Sequence, residues 1–208
     1  ASDITDKNFD VSVGLALHEA SHILLTDFEA VQTYLSNQLD GGLSTYHSHL
    51  LKQLVNVIED RRIDDYIFRT SPGYRAYYHK MYDHYFTSDV VSQALVSGDF
   101  RDATDPEHYM FRIINMTNPL SSRTALPGLG EIFDLIDVKR IGRLKSTTET
   151  VALGQQVLDL ITKYTTQAMS DPNMKGNSSK QSTKDDSGDG QDNDSTADLS
   201  LIHIWRCR

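Results

Sequence analysis

Cysteine is all but missing from this chain of 208 residues: the only one, Cys207, lies in the final ten positions, "LSLIHIWRCR", together with the only tryptophan. A chain without cysteine before that point has no disulfide framework and no thiolate metal site, so any bound metal must rest on His, Asp or Glu. No run of about 18 apolar residues occurs, which leaves nothing to span a membrane. Basic clusters are absent too, and the formal charge is −9. Nucleic acid is therefore not an expected partner, because phosphate binding needs grouped Lys and Arg. Strand signals are few, and the length suits one domain with a real core plus a tail.

The end of the chain changes character abruptly. From Ser170 the stretch "SDPNMKGNSSKQSTKDDSGDGQDNDSTAD" has no aromatic or β-branched aliphatic residue, and seven Asp stand against three Lys. Such a segment cannot bury enough surface to offset its ordering entropy, and residues 170–198 read as a disordered acidic linker. Residues 199–208 match nothing before them. Back-translated as CTG TCT CTT ATA CAC ATC TGA CGC TGC CGA, they look like the end of a transposase-type sequencing-library adapter with TGA decoded as Trp. They are expected to be adapter read-through and not native, which removes His203 as a ligand candidate. The chain also opens with Ala1 and not Met, which leaves room for a lost start and a leader on it.

Hydrophobic spacing predicts a helix over 8–25, capped by Asn8 or Asp10, with Val13, Leu17, Ala20, Ile23 and Leu24 on its apolar side. A second long helix is expected over 43–69, after the breaker "QLDGG" at 38–42. Another starts beyond "SPG" at 71–73, with Tyr74, Tyr78, Met81, Tyr82 and Tyr85 in a stripe. Shorter helices fit 88–97, 105–117, 129–137 and 148–168. The fold class expected is mainly α, with at most a small sheet.

Inside the first helix, "VGLALHEASHILL" holds His18, Glu19 and His22 as H-E-x-x-H. Positions i and i+4 share a helical face, so both imidazoles can reach one zinc ion, with Glu19 beside a zinc-bound water. The flanks are apolar and uncharged, as suits a metal buried under a helix. A peptidase-type zinc wants a third protein ligand and an open position. The cluster "NVIEDRRIDDY" (56–66) supplies carboxylates. Glu59 is the first choice and Asp60 the rival, with Asp64 one turn beyond Asp60, where it could orient a ligand histidine. Taken alone, such a run is more often a solvated face with intrahelical Asp–Arg pairs.

With "ALHEASHILL", "NVIEDRRID" and "GYRAYYHKMYDHYF" in view, residues 10–165 resemble gluzincin-type metallopeptidase-like domains. These domains, many of them viral, precede an acidic linker and a von Willebrand A domain and are similar to cobaltochelatase subunits. The resemblance implies a zincin-like core over 1–169, with an active-site helix and a second, ligand-bearing helix. It implies zinc on His18, His22 and Glu59, with Glu19 as the base that activates the zinc-bound water for peptide hydrolysis. A peptide or protein is then the substrate, and the setting cytoplasmic, in the host cytoplasm if the chain is viral. An alternative is a weak or inactive scaffold working with a von Willebrand A domain, cut off with the C-terminus, and an AAA+ ATPase of chelatase type. One departure stands out. Gluzincins commonly place Asp four residues after the ligand Glu, but position 63 is Ile63, and it is Asp60 and Asp64 that have this spacing. An oxyanion donor could come from Tyr74, Tyr78 or His79, with Tyr77, Tyr82 and His84 also available, although a tyrosine stripe at helical spacing is more often core. His47 and His49 suit a surface or capping role, and His108 has no visible partner.

Overall fold

The structure, a computed structural model, describes residues 8–171. The linker and adapter-derived segments expected from the sequence lie outside the described residues, apart from Ser170 and Asp171. Eight α-helices follow in order: α1 Phe9–Leu25, α2 Phe28–Asp40, α3 Thr45–Thr70, α4 Arg75–Tyr85, α5 Asp89–Val96, α6 Pro106–Ile114, α7 Leu129–Ile136 and α8 Thr147–Ser170. Two 3-10 turns, Pro72–Tyr74 and Val138–Arg143, complete the order. No strand occurs among the described residues, so the protein is mainly α.

The long helices begin where a side chain can take an orphaned amide. Ser44 accepts from the His47 amide at 3.2 Å and Ser146 from the Glu149 amide at 3.3 Å. Glu149 reaches back to the Lys145 amide at 2.5 Å, a close variant of the capping box. Helix α2 has no counterpart in the sequence reading. It starts at Asp27, whose carboxylate accepts from the Ala30 amide at 2.9 Å, and none of its residues is fully buried. Val31, Tyr34 and Leu35 lean on the core, each only partly buried.

Helix α3 is the axis. Leu50, Leu51, Leu54 and Ile58 are fully buried, among Val157 and Ile161 of α8, Ile113 of α6 and Leu129 and Ile132 of α7. Helix α8 runs against α3, while α1 is sandwiched against α3 and α4. The α1–α4 approach depends on Gly14, because a Cβ there would stand 2.5 Å from the Tyr77 carbonyl oxygen.

The buried side of α1 differs from the expected one. Gly14, His18, Ser21 and His22 face inward, whereas Ile23 and Leu24 are 78% and 80% exposed and Ala20 is exposed. The helix is apolar nearly all round, so hydrophobic spacing does not select a face. The carboxylates of α3 select it, by offering partners to the two histidines.

Candidate metal centre

His18 and His22, one turn apart on α1, turn their rings toward the middle of α3. The ring centroids are 4.9 Å apart, edge to face. Asp60 meets both: its Oδ1 lies 2.9 Å from His22 Nε2 and 3.5 Å from His18 Nε2. One ligand atom from each of His18, His22 and Asp60 falls within 4.8 Å of the others. The three side chains are buried, at 2%, 3% and 2% exposure. Two imidazoles and one carboxylate, drawn together out of water, form a donor set that could hold a metal ion.

The opposite ring nitrogens are held as well. His18 Nδ1 lies 2.9 Å from Asp64 Oδ1, one helical turn beyond Asp60, and His22 Nδ1 lies 3.0 Å from Thr26 Oγ1. Fixing Nδ1 in this way leaves Nε2 of each ring for the shared point. Asp64 accepts a further bond from the Tyr82 hydroxyl, which itself accepts from Arg61.

The electrostatics follow from burial set against pairing. Burial would raise the Asp60 carboxyl, but the hydrogen bonds and charges of His18 and His22 overcome it and hold the group below the ordinary carboxylate range. Burial would likewise lower His18, yet Asp60 and Asp64 outweigh it and push the imidazole up to about 10. The two carboxylates thus favour the charged form of the His18 ring.

Glu59, the first choice for third ligand, is not brought to the histidines. Its carboxylate accepts from Arg62 Nε at 2.8 Å, from Arg62 NH2 at 2.5 Å and from the Thr147 hydroxyl at 2.8 Å. The carboxylate brought to the histidines is that of Asp60. The cause is helical phase: adjacent residues point about 100° apart, so Glu59 turns toward α8 while Asp60 turns toward α1. Arg62 also donates to the Leu25 carbonyl at 2.7 Å, and the Asp27 amide donates to Thr147 at 2.9 Å. Glu59 thus clamps the exit of α1 to α8. Burial would raise its carboxyl, but Arg62 and the hydroxyls of Thr147 and Thr150 hold it below the ordinary value.

Glu19 is half-buried on α1, directly after His18. Tyr78 is fully buried with its hydroxyl 3.2 Å from Ser21 Oγ, and burial pushes the phenol up to about 12. Tyr74 is exposed in the turn before α4, and exposed His79 stacks on Phe68 at 5.8 Å. Tyr74 and His79 are thus placed at the surface, and Tyr78 is spent on Ser21. Elsewhere, His47 bonds to the cap Ser44 and His49 to Gln53, while His108 Nδ1 accepts from the Asp102 amide at 2.9 Å. Arg61 and Thr26 were not anticipated as part of the site, and Tyr82, expected only among the oxyanion donors, instead bonds Asp64. The only signal for the first two was spacing, with Thr26 four residues after His22.

A cavity of about 20 Å³, room for a single water, adjoins the site; His18, Asp60, Arg61, Asp64, Met81 and Tyr82 line it with others. No helix is long and apolar enough to cross a membrane among the described residues. Compared with protein-family models, with curated proteins and with solved structures, the chain matches none.

Proposed function

We propose that this chain is a zinc-dependent metallopeptidase-like protein of the H-E-x-x-H kind, with zinc on His18, His22 and Asp60. The observation that carries the reading is the meeting of two separately placed motifs. A histidine pair on α1 and a carboxylate on α3, 38 residues from His22, converge through the nitrogens that Asp64 and Thr26 leave available. Zinc suits a set of two imidazoles and one carboxylate, and when bound it supplies Lewis acidity toward a water and a peptide carbonyl.

The chain's own contribution is proton handling and orientation. Glu19, next to His18 and not one of the three ligands, accepts a proton as the peptide bond is attacked and delivers it to the departing amine. Asp64 and Thr26 hold the two rings in register. Peptide or protein is the substrate class that this chemistry serves.

One observation favours a second reading. The three ligands are nearly sealed from solvent, and the adjoining cavity admits no more than a water-sized guest. Those features suit a metallopeptidase-like scaffold, of the sort that works beside a von Willebrand A domain and an AAA+ ATPase. Two measurements separate the readings. Metal analysis of the purified protein should find about one zinc per chain, and Glu19→Gln should keep it. On a diverse library of unfolded peptides, wild type should cleave, and Glu19→Gln should be slower by at least about 10²-fold. Zinc retention without cleavage by wild type favours the scaffold, and loss of neither metal nor activity in His18→Ala and His22→Ala removes both readings.

A further inference from the structure

The His18–Asp64 pair does not end at Asp64. Arg61 of α3 donates from NH1 to the Tyr82 hydroxyl of α4, and that hydroxyl donates to Asp64 Oδ2. Asp64 Oδ1 in turn faces His18 Nδ1 at 2.9 Å. Arg61 is itself fixed, because its NH2 donates to the Ile114 carbonyl at 3.1 Å and its guanidinium lies 4.8 Å and 4.7 Å from the Tyr82 and Phe86 ring centroids. Four side chains from three helices thus form a single directed series ending on a ring nitrogen of the candidate centre.

Each link leaves one orientation for the next. Arg61 can only donate, so the Tyr82 oxygen must accept from it and spend its own proton on Asp64. Asp64, with Oδ2 taken by Tyr82, turns Oδ1 to His18. His18 must then present Nδ1–H to Asp64 and keep Nε2 for the point shared with His22 and Asp60. A carboxylate anchored at only one oxygen could swing about its χ2 axis and release the ring.

We propose that Tyr82, anchored by Arg61, is a positioning residue for metal binding, acting through Asp64 to fix the ring of His18. The inference rests on the reading that His18, His22 and Asp60 hold zinc. It adds that part of the affinity resides in a hydroxyl on α4 that touches no ligand atom of the metal.

The test is zinc competition against a chromophoric chelator, with thermal unfolding followed in parallel. Tyr82→Phe is compared with Tyr109→Phe, which removes a hydroxyl bonded to the Pro127 carbonyl at 2.9 Å and outside the series. Tyr82→Phe should weaken zinc by about 10-fold, the low end of the cost of losing a ligand's outer partner because Asp64 itself remains, whereas Tyr109→Phe should stay within about 3-fold of wild type while losing similar thermal stability. Should Tyr82→Phe not fold, Arg61→Lys probes the series from its far end and should weaken zinc in the same direction. Equal zinc affinity in wild type and the variant at position 82, or equal losses at positions 82 and 109, overturns the inference and leaves the metal site standing. Failure of wild type to bind zinc overturns both.

Discussion

Replacing Glu59 by Gln and Asp60 by Asn, one at a time, separates a structural carboxylate from a ligand, although the two are neighbours on one helix. Glu59 and Arg62 form a buried pair with bonds at 2.8 and 2.5 Å, extended by Thr147 at 2.8 Å. Removing one partner of a buried pair costs about 3–5 kcal/mol, because the other charge is left uncompensated. Gln keeps an acceptor for Arg62 and a similar shape, which places Glu59→Gln at the low end, about 3 kcal/mol. For a domain of this size each kcal/mol moves Tm by about 2–4 °C, so a drop of roughly 6–12 °C is expected by calorimetry on the metal-free protein. Zinc affinity of the folded variant should remain within about 3-fold. Asp60→Asn should do the opposite: its chelator-competition affinity should fall by more than the about 10- to 100-fold typical of an outer partner. Strong loss of zinc in Glu59→Gln with an unchanged Tm would refute the assignment of Asp60.

The same clamp predicts a pH dependence. The folded Glu59 carboxyl titrates below its ordinary value of 4.5, so its stabilisation is complete above that pH and is lost as pH falls through the lower, folded value; the acid slope of Tm below pH 4.5 should be shallower in Glu59→Gln. Gly14→Ala places a Cβ 2.5 Å from the Tyr77 carbonyl oxygen and 3.0 Å from Met81 Cβ, so α1 and α4 must separate, at about 1–3 kcal/mol by denaturant unfolding; an unchanged midpoint would show that α1 is not seated as described. Asp64→Asn should weaken zinc by about 10- to 100-fold with the three ligands intact, and wild-type affinity in that variant would remove the His18–Asp64 contact from the argument.

Much of the fold was legible because the longest helices carry their own start and stop chemistry. Ser44 and Ser146 cap α3 and α8, and "SPG" ends α3 near where the expectation placed it. Helix α2 was not among the expected helices, and in the structure it buries no residue completely. Its signals were local: Asp27 as cap, Glu29 in the first turn and Gly41 after its end. The facing of α1 was misjudged for a different reason. With apolar residues on nearly every side, the helix reports that it is apolar but not where its partners are.

The charged run on α3 shows why the site was only half legible. Exposed Asp–Arg pairs on a helix are common, so "IEDRRID" alone reads as a solvated face. In the structure Glu59, Asp60, Arg61, Arg62 and Asp64 are all buried, an arrangement that costs several kcal/mol per ion unless each is matched. Each one makes at least one hydrogen bond, and its partner depends on what stands at each angle around α3. Glu59 meets Arg62 and Thr147, whereas Asp60 meets the two histidines. Arg61 meets Tyr82, and Asp64 meets both Tyr82 and His18. Sequence spacing gives those angles relative to one another, but not which neighbouring helix occupies each. The spacing of Asp60 and Asp64 did contain the answer. A ligand at one position and its partner's anchor one turn later require the same helical face, and among the acidic residues of 59–64 only that pair has the interval. Glu59 lies outside that phase, so the seating of α1 against α3 turns it to the clamp and Asp60 to the two histidines.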